Sequence, residues 1–394
     1  MTSIAAVRRR SSLAGSPAGR LRADPTAAWR HLDLVLVGCL VAISAIGVLM
    51  VYSATRGPGG GEPIDQTYLK RQLMFVAIGF VILIVTAAID YHRVRDFAPM
   101  AYLACVGMLA LVVSGLGSSR KGTQAWFDLG SFQLQPSEPT KLALIVTLAA
   151  VIAHFREDID LLRLGVLLTI AGVPLGLIML QPDLGTALVL VSITAGILVV
   201  GGAKSRHLVV LLVVGVLGTG VILNSDMLEA YKRDRLTTFL NQGGDTVGSD
   251  QEERYNLDQS KIAIGAGGML GQGLFEGLQT RLDNVPEQHT DFIFTAVGEE
   301  LGFVGAGTLL TLFAILCWRV WRTAQLARDD LGTLICVGVL CMLLFQIFEN
   351  VGMTMGIMPI TGIPLPFVSY GGSATLASFA AMGLVLNVHS RRFT

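Results

Sequence analysis

Residues 303–318 read FVGAGTLLTLFAILCW, a run without a single charged side chain. They follow VPEQHTDFIFTAVGEELG at 285–302, where Asp291, Glu299 and Glu300 stand among residues that otherwise suit lipid. An ionised carboxylate inside hydrocarbon is costly, so carboxylates in membrane segments usually serve a function. The stretch therefore indicates a membrane helix and, at its polar end, a candidate functional site.

The composition of the whole chain also indicates a membrane protein. Of its 394 residues, 52% are hydrophobic and only 15% are charged, whereas soluble proteins carry about 25% charged residues. The formal net charge is zero, which argues against a nucleic-acid-binding class. The five cysteines lie in apolar runs without zinc-site spacing, and we expect them to pack as buried thiols.

Ten apolar runs are long enough to cross a bilayer as helices. They are predicted at 32–53, 70–89, 97–116, 138–155, 161–180, 184–201, 207–224, 291–318, 331–355 and 370–388. With the N-terminus inside, seventeen Lys and Arg residues fall on the inner side and five in the short outer loops. We therefore predict an all-α, multi-pass protein of the cytoplasmic membrane with ten transmembrane helices and both termini cytoplasmic.

The chain outside these spans divides into two parts. Residues 1–30 are rich in Arg, Ser, Gly and Pro and are predicted to form a disordered cytoplasmic tail ahead of one transmembrane domain at 31–392. The segment 225–290 is predicted to be a long extracytoplasmic loop between helices 7 and 8. It carries the basic cluster Lys232, Arg233 and Arg235, which suits a diphosphate or an anionic headgroup.

The predicted orientation places most membrane-edge charges at the outer face. These residues are Glu138, Lys141, Asp183, Asp291 and Glu349. A pathway for ions or protons would require polar groups through the full thickness of the membrane. We therefore predict one outward-facing site.

Two interpretations of Asp291 stay open at this point. At 100° per residue, one line along the predicted helix contains Asp291, Thr295, Gly298, Gly302 and Gly305. On this helical phase Glu299 flanks the line and Glu300 points away. Asp291 is then either the N-cap of the helix or a functional carboxylate, and the glycines are either a packing stripe or the wall of a groove.

The motif SFQLQPSEPTKL at 131–142 also has two interpretations. Glu138 and Lys141, three residues apart on a helix, share a face, and Ser137 is a candidate helix cap. They form either a local ion pair or a lysine that Glu138 orients toward an anionic ligand. Just upstream, Trp126 suits an interfacial or re-entrant segment, or an aromatic belt.

Two further stretches predict irregular backbone. The glycines of YNLDQSKIAIGAGGMLGQGL at 255–274 do not fit a nucleotide-binding motif, and we expect tight turns there. Three prolines interrupt the apolar stretch MPITGIPLPFVSYGGSATLASF at 358–379, which rules out a regular helix at its start. This stretch is either a structural plug or a substrate contact, and Ser369 and Tyr370 form its turn into the last span.

Together these motifs resemble the SEDS family of RodA and FtsW, the lipid II polymerases of bacterial cell-wall synthesis. The resemblance covers roughly 32–392 and rests on QPSE with Lys141, QPDLG, the glycine-rich stretch, PEQHTDFIF, GEELG and PLPFVSYGGS, in that order. It implies a peptidoglycan glycosyltransferase that joins lipid II into glycan at the outer membrane face and releases undecaprenyl diphosphate. MPITGIPLPF and the short C-terminal tail resemble RodA, of cell elongation, more than FtsW, of division.

The resemblance also implies roles for individual residues. Asp291 matches the family's essential aspartate and is the expected catalytic base. The expected substrate-binding residues are Lys141, Glu138, Trp126, Lys232, Arg233, Arg235, His289, Glu299, Ser369 and Tyr370. Where the family usually shows NGARRW before the tryptophan, this chain has KGTQAW, so any anion-binding role of those arginines would fall to Arg120 or Lys121.

Cofactors, partners and other functions follow from the same resemblance. No ligand cluster in the sequence demands a metal, although Mg²⁺ or Mn²⁺ would suit the diphosphate. The expected partners are lipid II, a class B penicillin-binding protein with transpeptidase activity, other elongation or division proteins, and membrane lipids. A lipid II flippase and a structural scaffold for the cell-wall complex are the alternative functions.

Overall fold

A computed structural model describes residues 32–57, 66–120, 123–128, 130, 132–155, 159–224, 249–282 and 284–392. The predicted disordered tail, residues 1–30, lies outside the described residues. So does the basic cluster Lys232, Arg233 and Arg235. The described part is predominantly helical, as predicted.

The helices follow the predicted apolar runs. They are α1 (Leu34–Thr55), α2 (Thr67–Ala88), α3 (Tyr91–Leu111), α4 (Ser137–His154), α5 (Leu161–Met179), α6 (Leu184–Val200), α7 (Ser205–Asn224), α8 (Ser249–Gly267), α9 (Leu278–Arg281), α10 (Ile293–Gln325), α11 (Asp330–Thr354) and α12 (Gly372–Arg391). Within the described ranges, eight of them are long and apolar enough to cross a membrane, and α6 is apolar but shorter. The chain is therefore a multi-pass membrane protein, while the count of ten spans and their orientation stay predictions.

A small sheet, which the sequence did not predict, lies between α3 and α4. Strands β1 (Ser118–Arg120), β2 (Thr123–Asp128) and β3 (Gln133–Leu134) pair in the order β1-β2-β3, and both pairs are antiparallel. Trp126 lies on β2 opposite Ser118, whose hydroxyl donates to the Trp126 carbonyl at 3.1 Å. The segment predicted to be interfacial or re-entrant is therefore a hairpin that leads into α4.

Helices α4, α11 and α12 form the centre of the bundle. In these three helices 67%, 72% and 67% of the apolar stretch is buried, against 28%, 22% and 28% in α2, α3 and α5. The outer faces of α2, α3 and α5 expose large aliphatic side chains, which suits contact with lipid chains. The polar groups that α4 and α11 carry are thus enclosed by protein. The cysteines lie in the same packed regions, and four of the five are buried.

The glycine-rich stretch 255–274 differs from the prediction. Most of it belongs to α8, and tight turns begin only after Gly267. Helix α8 packs on α10, where the Ser260 and Thr295 hydroxyls lie 2.9 Å apart and Ser260 also donates to the Thr354 carbonyl at 2.8 Å. The prediction of tight turns is thus confirmed after Gly267. It is wrong before Gly267, because buried contacts with α10 and α11 stabilise a helix there.

Helix α10 is broken where those turns meet it. Gly302 has φ 64° and ψ −164°, a conformation that only glycine adopts without strain. A Cβ atom on Gly302 would collide with the backbone of Leu270 and Gly271. Gly298 packs against Ile264 of α8. The packing interpretation of the glycine stripe is thus confirmed for these two positions.

Ionic and amide contacts tie the helix ends together at the face predicted to be cytoplasmic. Asp33 caps α1 and pairs with Arg319 of α10 at 2.6 Å. The Asn387 amide of α12 donates to the carbonyls of Thr86 and Ala87, each at 2.9 Å, and to that of Ile89. These contacts fix the ends of α1, α2, α10 and α12 at the face opposite the predicted site.

Candidate functional site at the outer membrane edge

Asp291 lies in a turn that precedes α10. Helix α10 begins at Ile293, its N-cap is Phe292, and no side chain caps it. The Asp291 N–H donates to the Glu287 carbonyl at 3.1 Å. Both the N-cap interpretation and the helical-phase argument for Asp291 are therefore wrong, because the residue does not belong to the helix. The Asp291 side chain is half-buried.

Asn350 fixes the backbone of this turn. Its Nδ2 group donates two hydrogen bonds of 2.8 Å, one to the Asp291 carbonyl and one to the Ile363 carbonyl. Asn350 is fully buried near the end of α11. One amide group thus joins three separate segments, and the position of Asp291 depends on it.

The second of these segments is the proline strap, which we define as residues 358–371. Gly362 in the strap has φ 73°, and a Cβ atom there would lie 3.3 Å from Asp291 Oδ2. Thr361 donates to the buried Glu349 carboxylate at 2.8 Å, while Gly185 at the start of α6 packs against Thr361 and Ile363. The strap is thus held between α6, α11 and the Asp291 turn, as the prolines predicted for covered, non-helical backbone.

An aromatic cluster joins the strap to the same turn. The ring centroids of Tyr68 and His289 are 5.0 Å apart, those of Tyr68 and Tyr370 are 5.2 Å apart, and those of His289 and Tyr370 are 5.7 Å apart. The Tyr370 N–H also donates to the His289 carbonyl at 2.9 Å. The structure therefore brings the predicted residues His289 and Tyr370 together two residues from Asp291. Ser369 next to them is buried, and its Oγ accepts from the Leu365 N–H at 2.8 Å, which is a structural role.

Glu138 and Lys141 form a buried ion pair in the first turns of α4. Lys141 Nζ lies 2.7 Å from Glu138 Oε1, and both side chains are almost fully covered. The structure therefore shows the local ion pair, one of the two interpretations of this motif. Pro136 is the N-cap residue and Ser137 is the first residue of the helix, so the cap predicted at Ser137 is wrong. A diphosphate would therefore reach Lys141 only if the residues that cover it at the start of α4 moved.

A further polar contact links the segment before α4 to α6 and α12. Asp183 caps α6 through Thr186 at 2.9 Å, and its other oxygen lies 3.5 Å from Gln135 Nε2. The Gln135 N–H donates to Ser373 Oγ at 3.1 Å, and Ser373 donates to the Gln133 carbonyl at 2.8 Å. The QPDLG and QPSE motifs thus meet here, at the start of the last helix.

The two glutamates of GEELG have structural partners. Glu299 is fully buried and accepts from the Gln279 N–H at 2.7 Å and from the N–H and hydroxyl of Thr280 at 3.0 and 2.7 Å. Glu300 accepts from the Ser53 hydroxyl of α1 at 2.5 Å. Glu299 therefore anchors α9 and its flanking turn to α10, in place of the substrate contact that we predicted.

The described residues do not offer a protein-built metal site. Among the ranges that the structure describes, no three His, Cys, Asp or Glu side chains are grouped so that they would hold an ion. We therefore derive no step that requires a metal bound by these residues.

The site combines predicted and unpredicted elements. The sequence and its resemblance singled out Asp291, His289 and Tyr370, as well as the pair of Glu138 and Lys141. They missed the contacts of Asn350 and of Gln135. A signal for both was a lone amide in an apolar run or beside prolines, because a buried amide must find hydrogen-bond partners.

Comparisons with known proteins agree with the motifs. The sequence profile of the FtsW/RodA/SpoVE family, described as that of a cell cycle protein, matches residues 33–393. The chain is similar to a probable peptidoglycan glycosyltransferase FtsW of Trichlorobacter lovleyi, with 38% identity over 90% of this chain and 92% of the relative. It is also similar to the peptidoglycan glycosyltransferase MrdB of Escherichia coli K12, with 35% identity over 92% of this chain and 94% of the relative.

Solved structures resemble the fold as well. A structure described as "Structural coordination of polymerization and crosslinking by a peptidoglycan synthase complex" matches 93% of this chain and 100% of its own, with 31% identity and a TM-score of 0.77. The rod shape determining protein RodA of Thermus thermophilus matches 93% of this chain and 99% of its own, with 30% identity and a TM-score of 0.69. The profile spans nearly all of the transmembrane helices, and the chain belongs to the FtsW/RodA/SpoVE family.

Proposed function

We propose that this chain is a peptidoglycan glycosyltransferase. It joins the disaccharide-peptide units of lipid II into glycan strands at the outer face of the cytoplasmic membrane and releases undecaprenyl diphosphate. Its relatives named as peptidoglycan glycosyltransferases support this assignment. The observation that carries it here is the half-buried carboxylate of Asp291, in a turn held by the buried Asn350 amide and packed against the proline strap.

Asp291 acts as the general base in this proposal. A sugar hydroxyl of the acceptor attacks the anomeric carbon of the donor while the bond from that carbon to the lipid diphosphate breaks. Asp291 takes the hydroxyl proton. A half-buried, poorly solvated carboxylate is suited to this role, because poor solvation makes it a stronger base. Strong acid assistance is not needed, because a diphosphate is already a good leaving group.

Positively charged groups must stabilise the negative charge that develops on the departing diphosphate. We assign this role to Lys141 and to the cluster Lys232, Arg233 and Arg235, the latter outside the described residues. The pairing of Lys141 with Glu138 implies that Glu138 positions the ammonium until the substrate arrives. Trp126, His289 and Tyr370 are the proposed contacts for the sugars, and Mg²⁺ or Mn²⁺ would also suit the diphosphate.

The test is polymerisation of fluorescent lipid II by the purified full-length chain in liposomes, with glycan strands separated on a gel. Wild type should form strands, and Asp291→Asn should form none. Glu287→Gln is the matched control, because it removes a carboxylate from the same turn at an exposed position. If the purified chain moves lipid II across the bilayer without joining it, the proposal fails and the flippase alternative holds.

We further propose a role in cell elongation, together with a class B penicillin-binding protein. The stretch MPITGIPLPF supports elongation, and the similar peptidoglycan synthase complex supports such a partner. Relatives of both the FtsW and the MrdB kind share comparable identity. A complementation assay distinguishes elongation from division. The chain should restore rod shape to cells depleted of their elongation polymerase. Rescue of division alone would overturn the elongation role.

A further inference from the structure

An open, mostly apolar cavity lies at the face predicted to be cytoplasmic, between α5 and α7. Its volume is about 500 Å³. The residues that line it are Asp160, Leu161, Leu164, Leu168, Lys204, Arg206, His207, Val210 and Leu211. Charged groups thus stand at one end of the cavity, and aliphatic side chains form its walls.

The fold brings two helix N-termini together at the polar end. Ile159 and Ala203 form an isolated parallel bridge, which sets the segments before α5 and α7 side by side. Asp160 caps α5, its Oδ1 accepting from the Arg163 N–H at 2.9 Å, and α7 starts two residues after the bridge. The Asp160 carboxylate already occupies the N-terminus of α5, so α7 is the helix whose N-terminal N–H groups and positive dipole end favour a further anion here.

The side chains at this end add positive charge. Lys204 and Arg206 are both exposed, and with Asp160 they leave a net charge of about one positive unit at the polar end, counting His207 as neutral. His207 is half-buried. The two exposed basic side chains therefore favour an anionic ligand at this end.

The aliphatic walls of the cavity indicate which kind of molecule carries the phosphate. Leu164 and Leu168 of α5 and Leu211 of α7 line the cavity below the charges. Beyond them α7 exposes Val209, Val210 and Leu212 by 58%, 58% and 68%, so the cavity opens toward lipid chains. Basic pockets between membrane helices at this face suit anionic lipid headgroups. A free phosphate ion would leave the aliphatic walls without contacts.

We propose that this cavity binds one anionic phospholipid of the inner leaflet. The phosphodiester lies at Lys204, Arg206 and the N-terminus of α7, and one acyl chain follows Leu164, Leu168 and Leu211. This site lies apart from the outer-face site at Asp291, and its role is to fix α7 against α5. A zwitterionic lipid fits less well, because its choline group would face Lys204 and Arg206.

The test is native mass spectrometry of the purified full-length chain in detergent, titrated with phosphatidylglycerol or phosphatidylcholine. Wild type should bind the first phosphatidylglycerol about tenfold more tightly than phosphatidylcholine, since each basic group near a membrane contributes about 1 kcal/mol. Lys204→Gln with Arg206→Gln should remove this preference. Arg93→Gln with Arg95→Gln is the matched control, because both arginines are exposed and are predicted to lie at the same face.

Two outcomes would overturn the proposal. One is an equal loss of preference in the test pair and in the control pair, which would indicate a general charge effect. The other would indicate a site for a soluble anion. In that case inorganic phosphate would displace phosphatidylglycerol, and the double variant Leu168→Asn with Leu211→Asn would bind the lipid as tightly as wild type. The proposal predicts that phosphate does not compete and that the wall variant binds the lipid more weakly.

Discussion

Replacement of Asn350 by leucine should reduce catalysis more than it reduces folding. Asn350 donates hydrogen bonds of 2.8 Å to the carbonyls of Asp291 and Ile363 and is fully buried. Asn350→Leu removes both bonds and leaves two carbonyls to find other partners. Each lost bond of this kind costs about 1–3 kcal/mol, so the free energy of unfolding should fall by roughly 2–6 kcal/mol for the two bonds.

The effect on turnover follows from geometry. The amide of Asn350 joins the Asp291 turn to the proline strap and α11, so its loss releases the carboxylate from its position. A displacement of about 1 Å in a reacting group costs about 100-fold in rate. We expect glycan synthesis by Asn350→Leu to fall about 100-fold per folded molecule, and a higher lipid II concentration should not restore it.

Asn387→Leu is the matched control for this effect. Asn387 is also fully buried on a membrane helix and also donates to backbone carbonyls, but at the opposite face. It should lose at least as much stability as Asn350→Leu and keep its turnover per folded molecule. Thermal unfolding in detergent and the gel assay for glycan strands measure the two quantities. Equal turnover in the two variants would refute the positioning role of Asn350.

Three further predictions concern residues around the site. Glu138→Gln and Lys141→Met should each destabilise the fold by about 3–5 kcal/mol, because each leaves one buried charge alone. The double variant should have a stability closer to that of wild type, and single variants as stable as wild type would contradict the buried pair. Glu299→Gln should cost about 1–3 kcal/mol in thermal unfolding and leave turnover per folded molecule unchanged; loss of turnover at full stability would instead indicate substrate contact. Gly302→Ala should cost more than the about 1–3 kcal/mol of backbone strain alone, because its Cβ would also collide with the backbone of Leu270 and Gly271. It should therefore reduce the yield of folded protein, whereas Gly307→Ala, which has open space around it, should not.

The sequence predicted the elements whose cause is local. Each apolar run became a helix, since a membrane helix satisfies its own backbone and requires only an apolar segment of sufficient length. The proline strap was predicted for a similar reason, because three prolines exclude a helix whatever surrounds them. The ion pair of Glu138 and Lys141 follows from a spacing of three residues on one helix.

The elements that failed depend on distant contacts. Asp291 was placed on a helix because the apolar pattern extends through it, whereas its turn is fixed by the Glu287 carbonyl and by Asn350, which is 59 residues away in sequence. Helix α8 forms in a glycine-rich stretch because Ser260 reaches Thr295 and Thr354. Neither contact has a signal in the local sequence pattern. Helical phase therefore could not show that Asp291 lies in a turn while Glu299 lies on the helix.

The most direct measurement of the central claim compares binding and turnover in Asp291→Asn. The substitution removes the charge of the carboxylate but keeps its size and leaves the backbone bond to Asn350 in place. The variant should bind lipid II in liposomes as wild type does, unfold at the same temperature, and release no undecaprenyl diphosphate. Release of undecaprenyl diphosphate at the wild-type rate would contradict the assignment of Asp291 as the catalytic base.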